Sequence, residues 1–193
     1  MSDFKVDHKQ YRKENRKVEF TAATLHKVKE IIGRYPDEHR KSALLPVLHI
    51  AQEELDGFLS VDVMNYVAGL IEIQPIEVYE VATFYTQFYL EKTGKYVIEV
   101  CRTGPCAICG GEKISEYIQK KLSIGDGETT ADGLFTLREV ECLGACGYAP
   151  AMQINTEFYE FLTEVKTDMI IDDLRKSADK DKQEGSRWTN KFF

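Results

Sequence analysis

The spacing of apolar residues divides the chain into two halves with different secondary structure. Up to about residue 90, apolar positions recur every three to four residues, which is the period of amphipathic helices. Ser60 is a candidate N-cap, and Pro75 suits the first turn of a helix. The four predicted helices have the sequences TLHKVKEIIGRYP, KSALLPVLHIAQEELDG, SVDVMNYVAGLI and PIEVYEVATFYTQF. We therefore expect a helical bundle over residues 20–92, preceded by a flexible arm at residues 1–19.

After Gly94 the pattern changes to strands alternating with helices. KYVIEVC alternates apolar and polar residues and is rich in β-branched types, so it predicts a strand that ends at Cys101. Downstream, GGEKISEYIQKKL predicts an amphipathic helix, LFTLREVEC a strand ending at Cys142, AMQIN and FYEFL two short strands, and TDMIIDDLRKS a helix capped by Thr167. The order strand, helix, strand, strand, strand, helix indicates a thioredoxin-like α/β sandwich over residues 93–176.

The last residues, 177–193, form a polar tail that ends in aromatic side chains. We expect this tail to be a disordered linker. The alternative is that Trp188, Phe192 and Phe193 dock on a neighbouring subunit.

Composition restricts the class of protein. The net charge of −7 argues against general nucleic-acid binding, which depends on Lys and Arg to neutralise phosphates. No apolar run approaches the roughly 20 residues that cross a bilayer, so we expect no direct membrane insertion. The N-terminus has no apolar signal region, and a cytoplasmic location is expected. Because that compartment keeps thiols reduced, the five cysteines indicate metal or redox chemistry.

Four of the five cysteines form two close pairs, each just after a predicted strand. Cys101 and Cys106 are separated by four residues, and Cys142 and Cys146 by three. A [2Fe–2S] cluster binds four thiolates, two on each iron, so two loops at one edge of a sheet could supply them. Nearby glycines let backbone N–H groups approach the sulfurs; they are Gly104, Gly110, Gly144 and Gly147.

Other sites remain compatible with these spacings. A zinc-held interaction module would use the same four thiolates, although the spacing favours iron–sulfur. A plant-type ferredoxin site would take Cys101, Cys106 and Cys109 with Cys142, and it would leave Cys146 unused. A thiol-disulfide protein would use Cys106 and Cys109 alone. The site with two pairs accounts for the most cysteines.

Longer stretches resemble a known family. The C-x4-C pair, the block GETTADGLFTLREVECLGACGYAPAMQIN, a final helix, and the upstream stretches SALLPVLHIAQEE and VYEVATFYTQF resemble the thioredoxin-like [2Fe–2S] subunit of the NADH-dehydrogenase module of respiratory complex I, NADH:quinone oxidoreductase. The resemblance covers about residues 20–176. It implies an α/β fold in which an N-terminal helical bundle precedes a thioredoxin-like [2Fe–2S] ferredoxin domain. It also implies that Cys101, Cys106, Cys142 and Cys146 hold one cluster, with Cys109 as a spare thiol.

The same resemblance implies a function. The chain would carry single electrons next to the FMN of a flavin- and NADH-binding partner subunit, in a complex with further iron–sulfur subunits on the inner face of the cell membrane. Neither FMN nor NADH is expected on this chain, which offers no catalytic acid, base or nucleophile for NADH oxidation. The acidic Glu141 beside Cys142 favours a low reduction potential. The equivalent subunit of a soluble NAD-linked hydrogenase or formate dehydrogenase is the alternative.

Overall fold

A computed structural model describes residues 18–55 and 57–184 of the chain. The chain divides into two units, Met1–Lys92 and Thr93–Phe193. Most of the predicted N-terminal arm and the aromatic residues Trp188, Phe192 and Phe193 lie outside the described residues. Among the described residues, no helix combines the length and the apolar character needed to cross a membrane.

The first unit contains the four predicted helices. Thr21 caps the first helix by accepting a bond from the backbone N–H of Thr24. Ser60, the predicted N-cap, caps the third helix by accepting a bond from the N–H of Val63. A short 3-10 helix over Asp37–Ala43 precedes the second helix. The helices are α1 (Ala22–Ile32), α2 (Leu44–Glu54), α3 (Val61–Ile71) and α4 (Pro75–Phe84).

One apolar face of each helix packs into the core of this unit. The fully buried side chains include Val28, Leu44, Val47, Leu48, Val67, Ile71 and Val78. The buried amide of Gln52 donates to the Gln87 carbonyl and accepts from the N–H of Tyr89, so it holds the segment after α4 against α2. Burial of these side chains is the main stabilising term in a bundle of this size.

The second unit is built on a four-stranded sheet in the order β2–β1–β3–β4. β1 pairs parallel with β2, whereas β3 pairs antiparallel with both β1 and β4. The strands are β1 (Tyr96–Cys101), β2 (Phe135–Val140), β3 (Met152–Ile154) and β4 (Glu157–Tyr159). The helices are α5 (Gly104–Ile108), α6 (Gly111–Leu122) and α7 (Glu164–Glu184), and a 3-10 turn spans Cys146–Tyr148.

The core of the second unit lies between the sheet and its two longer helices. Its buried members include Ile98, Val100, Phe135, Leu137 and Met152 from the sheet, Ile114 and Ile118 from α6, and Ile171 from α7. Five of the six residues of β1 are buried, as expected for a central strand next to a parallel neighbour. The alternation read from the sequence of β1 therefore does not place Glu99 in solvent; this carboxyl is buried.

Two helices differ from the sequence-based expectation. Thr167 does not cap α7: the helix begins at Glu164, and Thr163 caps it by accepting a bond from the N–H of Lys166. α7 also continues to Glu184, into the predicted tail, and its Ala178 is buried. The five-residue helix α5 was not predicted, since its first residues are glycine and proline.

Candidate metal centre

Cys101 and Cys106 form a buried pair at the end of β1. Cys101 is the last residue of the strand, and Cys106 lies in α5, after a short connection. Their residues are only 3% and 2% exposed. Both pack against Ala151, with Leu143, Ala145 and Ala149 around them. This pair therefore lies in a small apolar pocket from which water is largely excluded.

Cys142 and Cys146 lie on the loop that follows β2, and both are exposed. Gly144, between them, has a φ of 76°, a left-handed conformation that favours glycine. Its backbone N–H donates to the Cys142 sulfur at 3.3 Å. Cys146 begins the 3-10 turn, and α5 lies against that turn. The sequence predicted that this strand ends at Cys142, whereas β2 ends two residues earlier, at Val140.

The parallel register of β1 and β2 brings the two pairs to the same edge of the sheet. Cys101 is directly opposite Val140 in that register. The carboxyl ends of the two strands are therefore level, and the loops that follow them start side by side. Cysteines from distant parts of the sequence therefore lie on neighbouring loops.

The thiols of the two pairs influence one another. Burial raises the pKa of Cys106, and the neighbouring sulfurs of Cys101 and Cys146 raise this pKa further. A hydrogen bond with the Cys142 side chain and the negative charge of Cys142 raise the pKa of Cys146. The negative charge of Cys101 raises this pKa further. Across residues 18–55 and 57–184, however, no three His, Cys, Asp or Glu side chains are grouped closely enough to hold a metal ion. The arrangement is two adjoining pairs of thiols, not a closed four-sulfur site.

Backbone N–H groups point at the sulfurs of this site. Burial raises the pKa of Cys101, but hydrogen bonds from the N–H groups of Thr103 and Leu143 and from the Thr103 hydroxyl outweigh it and lower the pKa overall. The N–H of Ala151 likewise favours the thiolate of Cys106. Such donors stabilise negative charge on sulfur, the form in which cysteine binds metals. Their effect exceeds that of burial at Cys101 alone, since the pKa values of Cys106 and Cys146 are raised.

A glycine that sequence reasoning missed fixes the geometry behind the buried pair. A Cβ atom on Gly111, the first residue of α6, would lie 2.9 Å from the carbonyl oxygens of both Cys101 and Cys106. Only a residue without a side chain lets α6 start this close to β1 and α5. The signal in the sequence was a second glycine directly after Gly110. Of the four predicted glycines, three have positive φ: Gly104, Gly110 and Gly144.

The fifth cysteine, Cys109, differs from the nearby Cys101 and Cys106 in being exposed. Cys109 is exposed at the C-terminal end of α5, whereas Cys106 in the same helix is buried. It borders a groove of about 420 Å³ whose lining includes Ile108, Pro150 and Leu162. The structure therefore does not place Cys109 in the apolar pocket with Cys101.

The charge next to the exposed pair is partly neutralised. Glu141, which precedes Cys142, pairs with Arg102 at 3.2 Å. Because both side chains are more than half exposed, this pair is screened by water. The negative field expected from Glu141 at the cysteines is thus offset by the guanidinium of Arg102 and by solvent.

Exposed apolar side chains surround the site. Ile108 in α5 is 88% exposed. Tyr148 and Phe161 are also exposed, and their rings pack edge to face with their centroids 5.6 Å apart. Phe161 has a φ of 46°, a strained value for a side chain of this size, and its N–H donates to the Tyr148 carbonyl. Exposed apolar groups of this kind are typical of surfaces that bind another protein.

The buried Glu99 makes the stability of the protein depend on pH. Burial raises the pKa of this carboxyl from 4.5 to about 7, although Arg138 at 3.6 Å opposes the rise. The folded state thus holds a proton that the unfolded state releases, so the contribution of Glu99 to stability is fully present below pH 4.5 and is lost as the pH rises towards 7. We expect Glu99→Gln to remove this loss, which is on the order of 3 kcal/mol at about 1.4 kcal/mol per pKa unit. Urea unfolding of both proteins between about pH 5 and pH 8 measures it.

The complementary variant tests the cause of this dependence. Arg138→Gln removes the cation that lowers the pKa of Glu99, so the loss of stability should continue to higher pH. Equal pH slopes in the wild type and Glu99→Gln would contradict the assignment to Glu99.

Comparison with known proteins agrees with this architecture. The sequence matches the family described as thioredoxin-like [2Fe-2S] ferredoxin over residues 28–175. The E subunit of the NADH-quinone oxidoreductase of Rickettsia conorii is 47% identical over 156 residues, which are 81% of this chain and 93% of that protein. NADH dehydrogenase [ubiquinone] flavoprotein 2, mitochondrial, of Dictyostelium discoideum is 44% identical over 159 residues, covering 82% of this chain and 64% of that protein.

A solved structure shares the fold. The air-oxidised NAD+-reducing [NiFe]-hydrogenase superposes with a TM-score of 0.59 at 23% identity, over 69% of this chain and 23% of the hydrogenase chain. At this identity the likeness concerns the fold alone. Together with the family match, the element order confirms the predicted fold class, in which N-terminal helices precede a thioredoxin-like ferredoxin domain.

Proposed function

Since the chain belongs to the thioredoxin-like [2Fe–2S] ferredoxin family, we propose that it is the one-electron carrier subunit of the NADH-oxidising module of an NADH:quinone oxidoreductase. The observation that carries this proposal is the meeting of two cysteine pairs at one sheet edge, in a chain 44–47% identical to subunits of such enzymes. The helical domain at residues 20–92 and the cluster domain at residues 93–176 are the two parts of the proposed subunit.

Cys101, Cys106, Cys142 and Cys146 are the residues that would hold one [2Fe–2S] cluster. The donor set fits this group, because four thiols arranged as two pairs match the two thiolates that each iron takes. The backbone donors at Cys101, Cys106 and Cys142 fit it too, since they offset the negative charge of thiolate ligands. When bound, the cluster supplies acceptance and release of single electrons.

The two sides of the proposed site differ in their exposure to solvent. The apolar floor formed by Ala151 and its neighbours keeps water from Cys101 and Cys106. The loop with Cys142 and Cys146 instead stands at the surface. One side of the site is therefore shielded, and the other is accessible to an electron donor or acceptor on another subunit.

The partner that fits this surface is the flavin subunit of the same module. FMN and NADH would both bind there, since this sequence contains no glycine-rich dinucleotide fingerprint. Two exposed apolar surfaces are available for docking: Ile108, Tyr148 and Phe161 near the cysteines, and Phe84 with Tyr85 at the end of α4. Further iron–sulfur subunits would complete the module, and the whole would attach to the inner face of the cell membrane through other subunits.

The equivalent subunit of an NAD-linked hydrogenase or formate dehydrogenase is the second candidate. The fold of the NAD+-reducing [NiFe]-hydrogenase supports it only in part, because its 23% identity is about half that of the quinone oxidoreductase subunits. The difference in identity favours the first proposal.

Isolation of the native assembly tests the proposed enzyme. We expect this chain to be recovered from the membrane fraction with a flavoprotein and with hydrophobic subunits, in a preparation that reduces quinones with NADH. The measurement is mass spectrometry of the purified assembly together with its NADH:quinone activity. Recovery from the soluble fraction with a nickel–iron or formate-oxidising subunit would replace the proposed enzyme by the second candidate.

A further inference from the structure

The Thr103 side chain does not perform the role expected at its position in the sequence. Thr103 is the N-cap residue of α5, where a threonine hydroxyl usually accepts a bond from a backbone N–H of the first turn. Thr21 and Ser60 do this for α1 and α3. In the described part of the chain, the Thr103 side chain accepts no such bond from α5. Its Oγ1 atom lies instead 3.6 Å from the Cys101 sulfur.

The direction of this contact follows from the chemistry of its two atoms. A hydroxyl can donate one hydrogen, whereas an ionised thiolate can only accept. Cysteine binds metals as the thiolate, so beside a metal-bound Cys101 the Thr103 hydroxyl must be the donor. The backbone N–H of Thr103 points at the same sulfur. One residue thus supplies two donors to one sulfur.

Burial makes this contact effective. Cys101 is 3% exposed, so little water competes for its sulfur or screens its charge. Reduction of an iron–sulfur cluster adds one negative charge that the ligand sulfurs share, and hydrogen bonds to those sulfurs stabilise the reduced form more than the oxidised form. A donor at Cys101 therefore acts on the redox equilibrium.

We propose that Thr103 is a positioning residue whose hydroxyl donates to the Cys101 sulfur and raises the reduction potential of the cluster. This inference rests on the proposed function, because it requires a cluster at the four cysteines. It goes beyond that function by assigning control of the potential to a side chain that does not bind the metal.

Redox titration of the full-length, cluster-loaded protein tests the proposal, with the reduced cluster followed by EPR. Thr103→Val keeps the shape of the side chain and removes the donor. We expect it to shift the equilibrium about tenfold towards the oxidised form, which lowers the one-electron potential by about 59 mV. Thr103→Ser keeps the hydroxyl and should retain the wild-type potential.

Thr163 provides a matched control, because its hydroxyl does cap a helix. Thr163→Val should lower the unfolding temperature and leave the potential unchanged. A loaded Thr103→Val protein with the wild-type potential would overturn the proposal, as would a Thr103→Ser protein that shifts as far as Thr103→Val.

Two further measurements separate the possible failures. If Thr103→Val does not retain a cluster, Thr103→Ala is titrated in its place; loss of the cluster from both would show that the hydroxyl serves assembly, which overturns the proposal. Iron and sulfide are measured in every preparation. Their absence from the wild type contradicts the proposed function itself, whereas an unchanged potential in loaded Thr103→Val contradicts only the role of Thr103.

Discussion

We expect replacement of Cys146 by serine to remove most of the iron and sulfide from the purified protein, and replacement of Cys109 by serine to remove neither. Both side chains are exposed, so neither change disturbs a packed core, and the two variants differ only in which thiol is lost. The proposed ligand set requires Cys146 and leaves Cys109 unused. We expect the same loss from Cys142→Ser, because its sulfur is the other exposed member of the set.

The measurement is iron, zinc and acid-labile sulfide per chain, with visible and EPR spectra. The wild type and Cys109→Ser should each contain about two iron atoms and about two sulfide ions, as a [2Fe–2S] cluster does. Loss of the cluster in Cys109→Ser with retention in Cys146→Ser would refute the ligand set. A colourless wild type would refute the cluster altogether: bound zinc without sulfide would indicate the zinc module, and a redox-active disulfide between Cys106 and Cys109 the thiol-disulfide protein.

We expect replacement of Gly111 by alanine to destabilise the protein and to lower its content of the proposed cluster, although alanine usually favours a helix over glycine. The new Cβ would lie 2.9 Å from the carbonyl oxygens of Cys101 and Cys106, which are backbone atoms that cannot rotate away. Relief of this overlap requires α6 to move from the end of β1. Overpacking of this kind costs about 1–3 kcal/mol, more than the roughly 0.5–1 kcal/mol that alanine gains in a helix.

Gly69 supplies the control for this substitution. It lies inside α3, and a Cβ atom there would meet none of the surrounding atoms within 4 Å. Gly69→Ala is the same chemical change in a helix without the overlap, and we expect it to retain at least wild-type stability and wild-type cluster content. The unfolding midpoint in urea and the iron content of both variants are the readouts. Equal stability of the two variants would show that the position of α6 does not depend on Gly111.

The elements and the cysteine pairs were readable from the sequence because their signals are local. Helical periodicity and an N-cap such as Ser60 depend on residues three or four apart, and the structure has the four helices where the sequence placed them. Pairs such as Cys142 and Cys146 are likewise close in sequence. The consensus between these local signals is what made the fold class predictable.

The features that the sequence did not reveal depend on packing between distant segments. The sequence predicts Thr167 as the cap of α7, but Thr167 lies buried inside the helix and Thr163 caps it instead. Glu99 occupies the polar position of an alternating strand, but the strand is central and covered on both faces. Gly111 is required by carbonyl groups of another strand and helix. The unequal burial of the two cysteine pairs has the same origin, since nothing in C-x4-C or C-x3-C encodes it.

The pairing of β1 with β2 also affects the stage of folding at which the two cysteine pairs first lie side by side. Cys101 and Val140 lie opposite each other only after a long segment containing α6 has crossed over and the two strands have paired. Contacts between segments so distant in sequence form late in folding, because the connecting chain must first be closed. Until then the newly made chain carries two separate pairs of thiols, each with half the donors that a cluster needs. The proposed cluster could therefore be inserted only after this pairing, and we expect the yield of loaded protein to report how well the strands have paired.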